Sequence, residues 1–292
     1  MLSNKIAYWI IGLVLLWTAL RWFERANLYF PSAEHYAHPG AYAFPYEEVW
    51  LTSADGVRLH AWFIDAEKEN TSRYALNDPP LPPVEPLKSA SAAPPVIVFF
   101  HGNGGNISHR LQKLRILRGM GLSVLLFDYR GYGKSAGRPS ELGTYLDGLA
   151  AVEYLTRDRG IPLARLAYHG ESLGCAIALE TALKRPPRAL ILDSAFTSTA
   201  DMARIIFPFL PVDLLIRYRY DNLGKIADLK APVLFLHSEE DDIVPYAMGR
   251  RLFAAAPEAK SFVAMRGDHN EGFLDTPYYG KEIRQFLSRY FP

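Results

Sequence analysis

The segment Gly170–Gly174, with the sequence Gly-Glu-Ser-Leu-Gly, places a serine between two glycines. It follows the apolar stretch Leu163–Tyr168 and precedes the small-residue, helix-forming run Cys175–Ala178. This context is typical of a nucleophile elbow, in which a serine occupies a sharp strand-to-helix turn. The flanking glycines are needed there because any side chain would clash with the neighbouring strand and helix. We therefore expect Ser172 to be a catalytic nucleophile, with an ordinary tight turn as the alternative.

A serine hydroxyl needs a general base and an orienting carboxylate to attack a carbonyl at neutral pH. Where a serine lies in such an elbow, the acid and then the histidine follow it along the chain. Of eight histidines, only His269 follows the candidate acids. It lies just beyond the apolar run Phe262–Met265, where a strand would deliver it to a loop. The sequence predicts His269 as the base, and a surface-loop histidine is the alternative.

The acid is less clearly defined because four consecutive carboxylates, Glu239 to Asp242, follow the apolar run Val233–His237. The simplest interpretation of such a cluster is a solvated acidic turn. Its spacing does not decide which carboxylate would orient His269.

Acyl transfer also requires donors for the tetrahedral oxyanion, usually two backbone N–H groups. The residue after the nucleophile, Leu173, is expected to supply one. The second is expected from Asn103, in the glycine-rich loop His101–Asn106 after the run Val96–Phe100. The alternative is a turn that only reverses the chain.

Three segments together resemble one family. They are His101–Gly104, Asp128–Ser135 with the sequence Asp-Tyr-Arg-Gly-Tyr-Gly-Lys-Ser, and Gly170–Gly174. From about Val49 to Phe291 the chain resembles the α/β-hydrolase superfamily, in particular its membrane-anchored Bem46-like and ABHD13- or ABHD17-like group. The resemblance implies a serine hydrolase without a metal or cofactor.

The resemblance also implies a choice of acid. The family segment usually reads His-Gly-x-x-Asp-x-x-Val-Pro, which aligns Asp241 with the acid position and leaves Asp242 as the second choice. Ser238 departs from this pattern, since the family usually has glycine after the histidine.

The hydrophobic pattern predicts an α/β fold with a mostly parallel eight-stranded sheet and helices on both faces. The first two strands, on either side of Asp55-Gly56, are expected to form an antiparallel hairpin at one edge. The predicted strands are 47–52, 59–64, 96–100, 123–128, 163–168, 189–192, 233–237 and 261–264. The predicted helices are 108–120, 140–159, 175–184, 246–255 and 280–290.

Composition limits the possible partners. The 292 residues are 49% apolar and carry a formal net charge of +1, which gives no net electrostatic attraction to nucleic acid. The single cysteine, Cys175, excludes an intramolecular disulfide and a zinc site built on several cysteines. We expect it to be a small buried side chain.

The N-terminal run Ile6–Leu20 is uncharged and is flanked by Lys5, Arg21 and Arg25. With its neighbours it approaches the roughly 20 residues that span a bilayer. Residues 1–25 are therefore predicted to be an uncleaved, single-pass membrane anchor, residues 26–46 a connector and residues 47–292 the hydrolase domain. A cleaved signal peptide and an interfacial or buried helix are the alternatives. Charge on both sides leaves the orientation open.

Two insertions interrupt the predicted hydrolase domain. Residues 66–95 hold seven of the 21 prolines and are expected to form an irregular loop. Residues 196–225 contain the apolar runs Ile205–Pro211 and Leu214–Ile216. The segment is predicted to form a short cap over Ser172 or a patch that touches a membrane, and a helical packing unit is equally compatible.

These observations predict a membrane-tethered serine hydrolase that cleaves a carboxylic ester or acyl thioester through an acyl-enzyme. Small-molecule or lipid-like acyl compounds are the expected substrates, and acylated proteins are a further class by analogy with the ABHD17-like relatives. A serine aminopeptidase or amidase is one alternative, and a catalytically silent membrane scaffold is another.

Overall fold

An eight-stranded sheet forms the centre of the protein in the computed structural model, which describes residues 2–68, 85–87 and 94–291. The strands are β1 Phe30–Pro31, β2 Glu47–Thr52, β3 Arg58–Ile64, β4 Val96–Phe100, β5 Gly104–Gly105, β6 Ser123–Phe127, β7 Leu166–Glu171, β8 Ala189–Asp193, β9 Val233–Ser238 and β10 Lys260–Met265. The strand order in the sheet is β10-β9-β8-β7-β4-β6-β3-β2, and β1 pairs separately with β5.

Helices connect most of the later strands, and further helices precede β1 and follow β10. They are α1 Leu2–Leu28, α2 Leu111–Gly119, α3 Glu141–Glu153, α4 Leu173–Lys184, α5 Thr199–Ile206, α6 Val212–Leu215, α7 Tyr246–Ala255, α8 Gly272–Asp275 and α9 Tyr279–Tyr290. Within the sheet, β3 is antiparallel to both β2 and β6, and the other neighbours are parallel. The parallel strands therefore place their carboxyl ends at one edge, where ligand sites of such sheets form.

The apolar runs of the central strands follow from burial on both sheet faces. In β4, Val96, Val98 and Phe100 belong to one hydrophobic core, whereas Ile97 and Phe99 belong to the other. Because side chains alternate between faces, a strand covered on both sides needs apolar residues at every position. The predicted mostly parallel sheet with covered faces is thus confirmed, as is the antiparallel edge hairpin.

The structure differs from the predicted strands in two details. Leu163–Arg165 form a 3₁₀ turn, and β7 continues through the polar residues His169 and Glu171. The predicted strand began and ended too early along the chain, because the apolar residues stop before the pairing with the neighbouring parallel strands does. The short β1–β5 pair, Phe30 with Gly104 and Pro31 with Gly105, has no hydrophobic signature and was not predicted.

The N-terminal helix α1 extends from Leu2 to Leu28. Among the residues that the structure describes, no helix combines the length and the apolar character needed to cross a membrane. The prediction of a membrane-spanning anchor is therefore not supported. The C-terminal part of α1 instead contacts α6, where Arg21 donates to the carbonyl of Leu215.

The two predicted insertions have different outcomes. Most of the proline-rich stretch 66–95 lies outside the described residues. Residues 196–225, which we call the cap segment, contain α5 and α6. Their packing places apolar side chains beside the carboxyl edge of the sheet.

Candidate active site

Ser172 occupies a strained turn between β7 and α4. Its backbone has φ 52° and ψ −116°, a combination that a non-glycine residue rarely adopts and that is common at functional sites. A Cβ on Gly170 would lie 2.6 Å from Cα of Cys175, and one on Gly174 would lie 2.0 Å from the carbonyl oxygen of Phe100. The two glycines therefore allow the turn to pass against α4 and β4, as the elbow pattern predicts.

A continuous hydrogen-bonded chain links Ser172, His269 and Asp241. The serine Oγ lies 3.0 Å from Nε2 of His269, and Nδ1 of the same ring lies 2.8 and 3.0 Å from the two carboxylate oxygens of Asp241. The three residues follow β7, β10 and β9, whose carboxyl ends meet at one edge of the sheet. Distances near 3 Å suit proton transfer from a hydroxyl to an imidazole.

Several hydrogen bonds stabilise the ionised form of Asp241, which lies in the loop 239–245 that we call the acid loop. Burial opposes ionisation, but hydrogen bonds from His237 and His269 outweigh it and hold the pKa of the carboxyl well below its usual range. The N–H groups of Ile243 and Val244 also donate to Oδ1, at 3.0 and 2.7 Å. Asp241 is thus a carboxylate at any pH near neutrality, and it can orient an imidazolium.

Asp242, the second choice for the acid, has a different position. Its Oδ1 accepts the backbone N–H of His269 at 3.1 Å, while the ring of that histidine faces Asp241. Ser238, the departure from the family pattern, donates its hydroxyl to the carbonyl of Gly267 and accepts the N–H of Glu240 at 3.1 Å. The bond to Gly267 connects the end of β9 to the loop that carries His269, and no sequence pattern predicted this contact.

The two expected oxyanion donors lie beside Ser172 in the same cavity lining. Leu173 is the first residue of α4, so its N–H belongs to the set that has no partner within the helix. Two hydrogen bonds fix the position of Asn103. Its Nδ2 donates to the carbonyl of Leu28 at 3.1 Å, and its carbonyl accepts the hydroxyl of Tyr132 at 2.9 Å. These bonds fix the loop beside Ser172.

A buried cluster of charged side chains contacts Glu171, the residue that precedes Ser172. Lys113 contacts Asp193 at 2.7 Å and Glu171 at 3.1 Å, and Arg110 contacts Glu171 at 3.2 Å. Burial opposes ionisation of Glu171, but Arg110 and Lys113 outweigh it and lower its pKa to about 2. Arg110 also donates to the carbonyl of Gly104 at 3.1 Å. The cluster therefore joins the glycine-rich loop 101–106, which we call the oxyanion loop from its expected role, to the residue next to Ser172. The sequence analysis did not predict this connection.

The site opens into an apolar cavity of about 870 Å³. This volume lies in the upper part of the range for small-molecule sites. Ser172 and His269 lie in its lining, together with apolar side chains of α1, the cap segment and the acid loop. Among the apolar side chains are Leu20, Phe23, Met202, Ile206, Phe207 and Val244.

Among the residues that the structure describes, one group could offer metal ligands. Donor atoms of His35, His60 and Asp128 lie within 4.8 Å of one another. Asp128 already accepts from the ring of His35 at 2.8 Å and from the N–H of Ile107 at 2.9 Å. A Cβ on Gly133 would lie 2.0 Å from the same carboxylate. We interpret this tightly packed group as a polar anchor that holds the connector against the sheet.

Two other titratable residues, Cys175 and His101, are buried. Cys175 contacts the carbonyls of Gly170 and Asp193, each at 3.2 Å, and burial raises the pKa of its thiol well above the usual value. Burial lowers the pKa of His101 to about 4, which keeps its ring neutral. Both residues are suited to packing.

Comparison with solved structures defines the class of protein. An esterase from Pyrococcus furiosus is similar to this chain with a TM-score of 0.67 and 20% identity, over 91% of this chain and 98% of the esterase. At this identity the match establishes the fold alone, which is that of an α/β-hydrolase.

Sequence relatives define the family. Protein bem46 of Schizosaccharomyces pombe is 31% identical over 281 residues, 90% of this chain and 85% of its own. An uncharacterized protein of Mycobacterium tuberculosis, Rv2307c, is 39% identical over 267 residues, 91% of this chain and 87% of its own. Lysophosphatidylserine lipase ABHD12 of Danio rerio is 34% identical over 196 residues, 60% of this chain and 50% of its own. A family model described as "Serine aminopeptidase, S33" matches residues 91–216. The chain belongs to the Bem46-like α/β-hydrolases.

Proposed function

We propose that this protein is a serine hydrolase that cleaves a carboxylic ester or acyl thioester. The observation that carries the proposal is the unbroken chain from Ser172 Oγ through His269 to Asp241, at the end of an apolar cavity. Ser172 attacks the acyl carbonyl as His269 takes its proton. Asp241 orients the ring and stabilises the imidazolium that forms.

The reaction then continues through an acyl-enzyme. The N–H groups of Asn103 and Leu173 hold the tetrahedral oxyanion, and its collapse expels the alcohol or thiol, which takes the proton from His269. A water molecule, deprotonated by His269, attacks the acyl-Ser172 ester and releases the carboxylic acid. This sequence uses only side chains and backbone groups of the chain.

The cavity supports a substrate with an apolar acyl chain. Its lining is largely apolar, and the cap segment closes one side of it with Met202, Ile206 and Phe207. The name of the relative ABHD12 as a lysophosphatidylserine lipase agrees with a lipid-like acyl substrate for this chain. Acylated proteins would need the acyl chain to enter the same cavity.

An aminopeptidase activity is the second candidate, because of the description of the matching family model. Such an enzyme needs an acidic group for the substrate's free α-amino group. Glu24 is the acidic residue in the cavity lining, and its carboxylate already accepts the N–H groups of Arg217 and Tyr218 at 2.6 and 2.7 Å. This engagement favours esters and thioesters over aminoacyl substrates.

We also propose that the protein works at a lipid surface. Large apolar side chains of α1 and of the cap segment are exposed, among them Trp17, Phe209 and Leu214. A lipid surface would cover them and would present acyl substrates to the cavity.

Labelling with a fluorophosphonate probe tests the chemistry. We expect the wild-type chain to be labelled, and the Ser172→Ala and His269→Ala variants to remain unlabelled although folded. Hydrolysis of p-nitrophenyl esters and of aminoacyl p-nitroanilides by the wild type then separates the two candidate activities. A folded wild-type chain that resists the probe would favour the silent scaffold instead.

A further inference from the structure

The last turns of α1 are fixed to the end of the cap segment by polar contacts. Glu24 accepts the backbone N–H groups of Arg217 and Tyr218 through one carboxylate oxygen, and its other oxygen contacts Arg21 at 2.7 Å. Arg21 in turn donates to the carbonyl of Leu215. The Glu24 side chain is only 12% exposed, so these charge-assisted bonds are poorly accessible to water.

The same end of α1 is also fixed to the oxyanion loop. The carbonyl of Leu28 accepts from the side chain of Asn103 at 3.1 Å, and the N–H of Phe30 donates to the carbonyl of Asn103 at 3.0 Å. Between them, the buried hydroxyl of Tyr29 lies 2.8 Å from that of Tyr220. The position of α1 therefore depends on both sides of the site.

The helix contributes side chains to the cavity that contains Ser172. Leu20, Phe23 and Leu28 lie in its lining, and the ring of Phe23 lies 5.7 Å from that of Phe207 in the cap segment, centroid to centroid. At 1.5 Å rise per residue, Phe23 lies about 7.5 Å and Leu20 about 12 Å along the axis from Leu28. An acyl chain that runs along this axis from Leu28 must therefore be long to reach Phe23.

We infer that the C-terminal turns of α1 form the distal wall of the acyl-binding pocket and that Phe23 selects long-chain acyl groups. The inference rests on the proposed function and narrows its substrate class to long-chain esters or thioesters. According to this inference, α1 is part of the substrate site, in addition to any role at a lipid surface.

A matched pair of substitutions on one helix tests this role in the full-length chain. Phe23→Ala removes a ring from the cavity lining. Trp22→Ala removes a larger ring from the next position, which is 72% exposed and outside that lining. The measured quantity is the ratio of kcat/KM for p-nitrophenyl dodecanoate to kcat/KM for p-nitrophenyl acetate, at one fixed detergent concentration.

We expect Phe23→Ala to lower this ratio about fivefold to tenfold, as the loss of a partly buried aromatic contact implies. We expect Trp22→Ala to keep the wild-type ratio. If both variants keep that ratio while the fluorophosphonate probe labels them, the wall is refuted and the hydrolase stands. Equal losses in both variants would also refute it, since the effect would then come from the helix as a whole.

A binding measurement separates failure of the wall from failure of the chemistry. If the wild-type chain is neither labelled nor active on either ester, the proposed function fails. Affinity for a fluorescent C16 fatty acid then decides the wall: weaker binding by Phe23→Ala than by Trp22→Ala supports it, and equal binding refutes it.

Discussion

At the scale of single residues, two neighbouring carboxylates contact different parts of His269. Asp241 faces the ring of His269, whereas Asp242 accepts a backbone N–H of the same residue. We predict that Asp241→Asn lowers kcat for an ester about 10³- to 10⁴-fold, because an amide neither fixes the required tautomer nor stabilises the imidazolium. Asp242→Asn keeps an oxygen that accepts the N–H, so we expect a loss of less than about tenfold.

Steady-state ester hydrolysis by the two variants checks this prediction. Circular dichroism confirms that each is folded. Comparable losses in both variants, or a larger loss in Asp242→Asn, would contradict the assignment of the acid.

Glu171 makes stability depend on acidity. Its folded-state pKa, about 2, lies below the ordinary 4.5, so its carboxylate contributes stability above about pH 4.5 that is lost as the pH falls toward 2. We predict that Glu171→Gln lowers the free energy of unfolding at pH 7 by about 2–3 kcal/mol, because Arg110 and Lys113 lose a buried counter-charge. Between pH 5 and 2 the variant should lose less further stability than the wild type.

Urea unfolding at pH 7 and along this range measures the effect. Glu258→Gln is the control, since that side chain is 96% exposed. A wild-type pH dependence in Glu171→Gln would show that Glu171 does not carry the low-pH loss.

The sequence was informative about single residues where chemistry restricts the choice. Ser172 and His269 could be singled out because few residue types do their work and the chain order is constrained. Asp241 needed a family pattern, since four adjacent carboxylates have the same chemistry. The ion pairs of Glu171 and the hydrogen bond from Ser238 to Gly267 join residues far apart in the chain, and no local pattern encodes them.

At the scale of elements, the close approach of α4 to β4 depends on Gly174. A Cβ there would lie 2.0 Å from the backbone carbonyl oxygen of Phe100, which cannot move without shifting a central strand. We predict that Gly174→Ala lowers the free energy of unfolding by about 3 kcal/mol or more. Gly119→Ala, at the end of α2 with nothing within 4 Å of the new Cβ, should change it by no more than about 1 kcal/mol.

Thermal unfolding of both glycine variants distinguishes close packing from a general effect of added methyl groups. A Gly174→Ala chain with wild-type stability would mean that the elbow has room that the structure does not show.

The hydrophobic pattern predicted the elements that are buried on both faces. All eight strands of the main sheet were expected, because parallel strands such as β4 and β9 need uninterrupted apolar residues. The β1–β5 pair was not expected, since its two-residue strands are fixed by backbone hydrogen bonds. The end of β7 was misplaced for a related reason: the ladder continues where hydrophobicity stops.

At the scale of the whole molecule, α1 was the least predictable element. Its apolar run resembles a membrane anchor, and sequence periodicity does not show that Arg21 and Glu24 bond to residues some 190 positions away. Those contacts place the helix beside the cavity, together with the cap segment. Large apolar side chains of both α1 and the cap segment remain exposed.

This arrangement leads to a prediction about lipid surfaces. Phe209 and Leu214 in the cap segment are 98% and 86% exposed, and transferring such side chains from water to an apolar phase is favourable. We predict that the double variant Phe209→Ser, Leu214→Ser binds phosphatidylcholine vesicles with a partition coefficient lower by about tenfold or more. Leu142→Ser, an exposed leucine on α3 outside the cap segment, should bind as the wild type does. Vesicle flotation at increasing lipid concentration measures the coefficients. Equal partitioning of all three proteins would mean that the cap segment does not face the lipid, and that an acyl chain enters the cavity from the aqueous side.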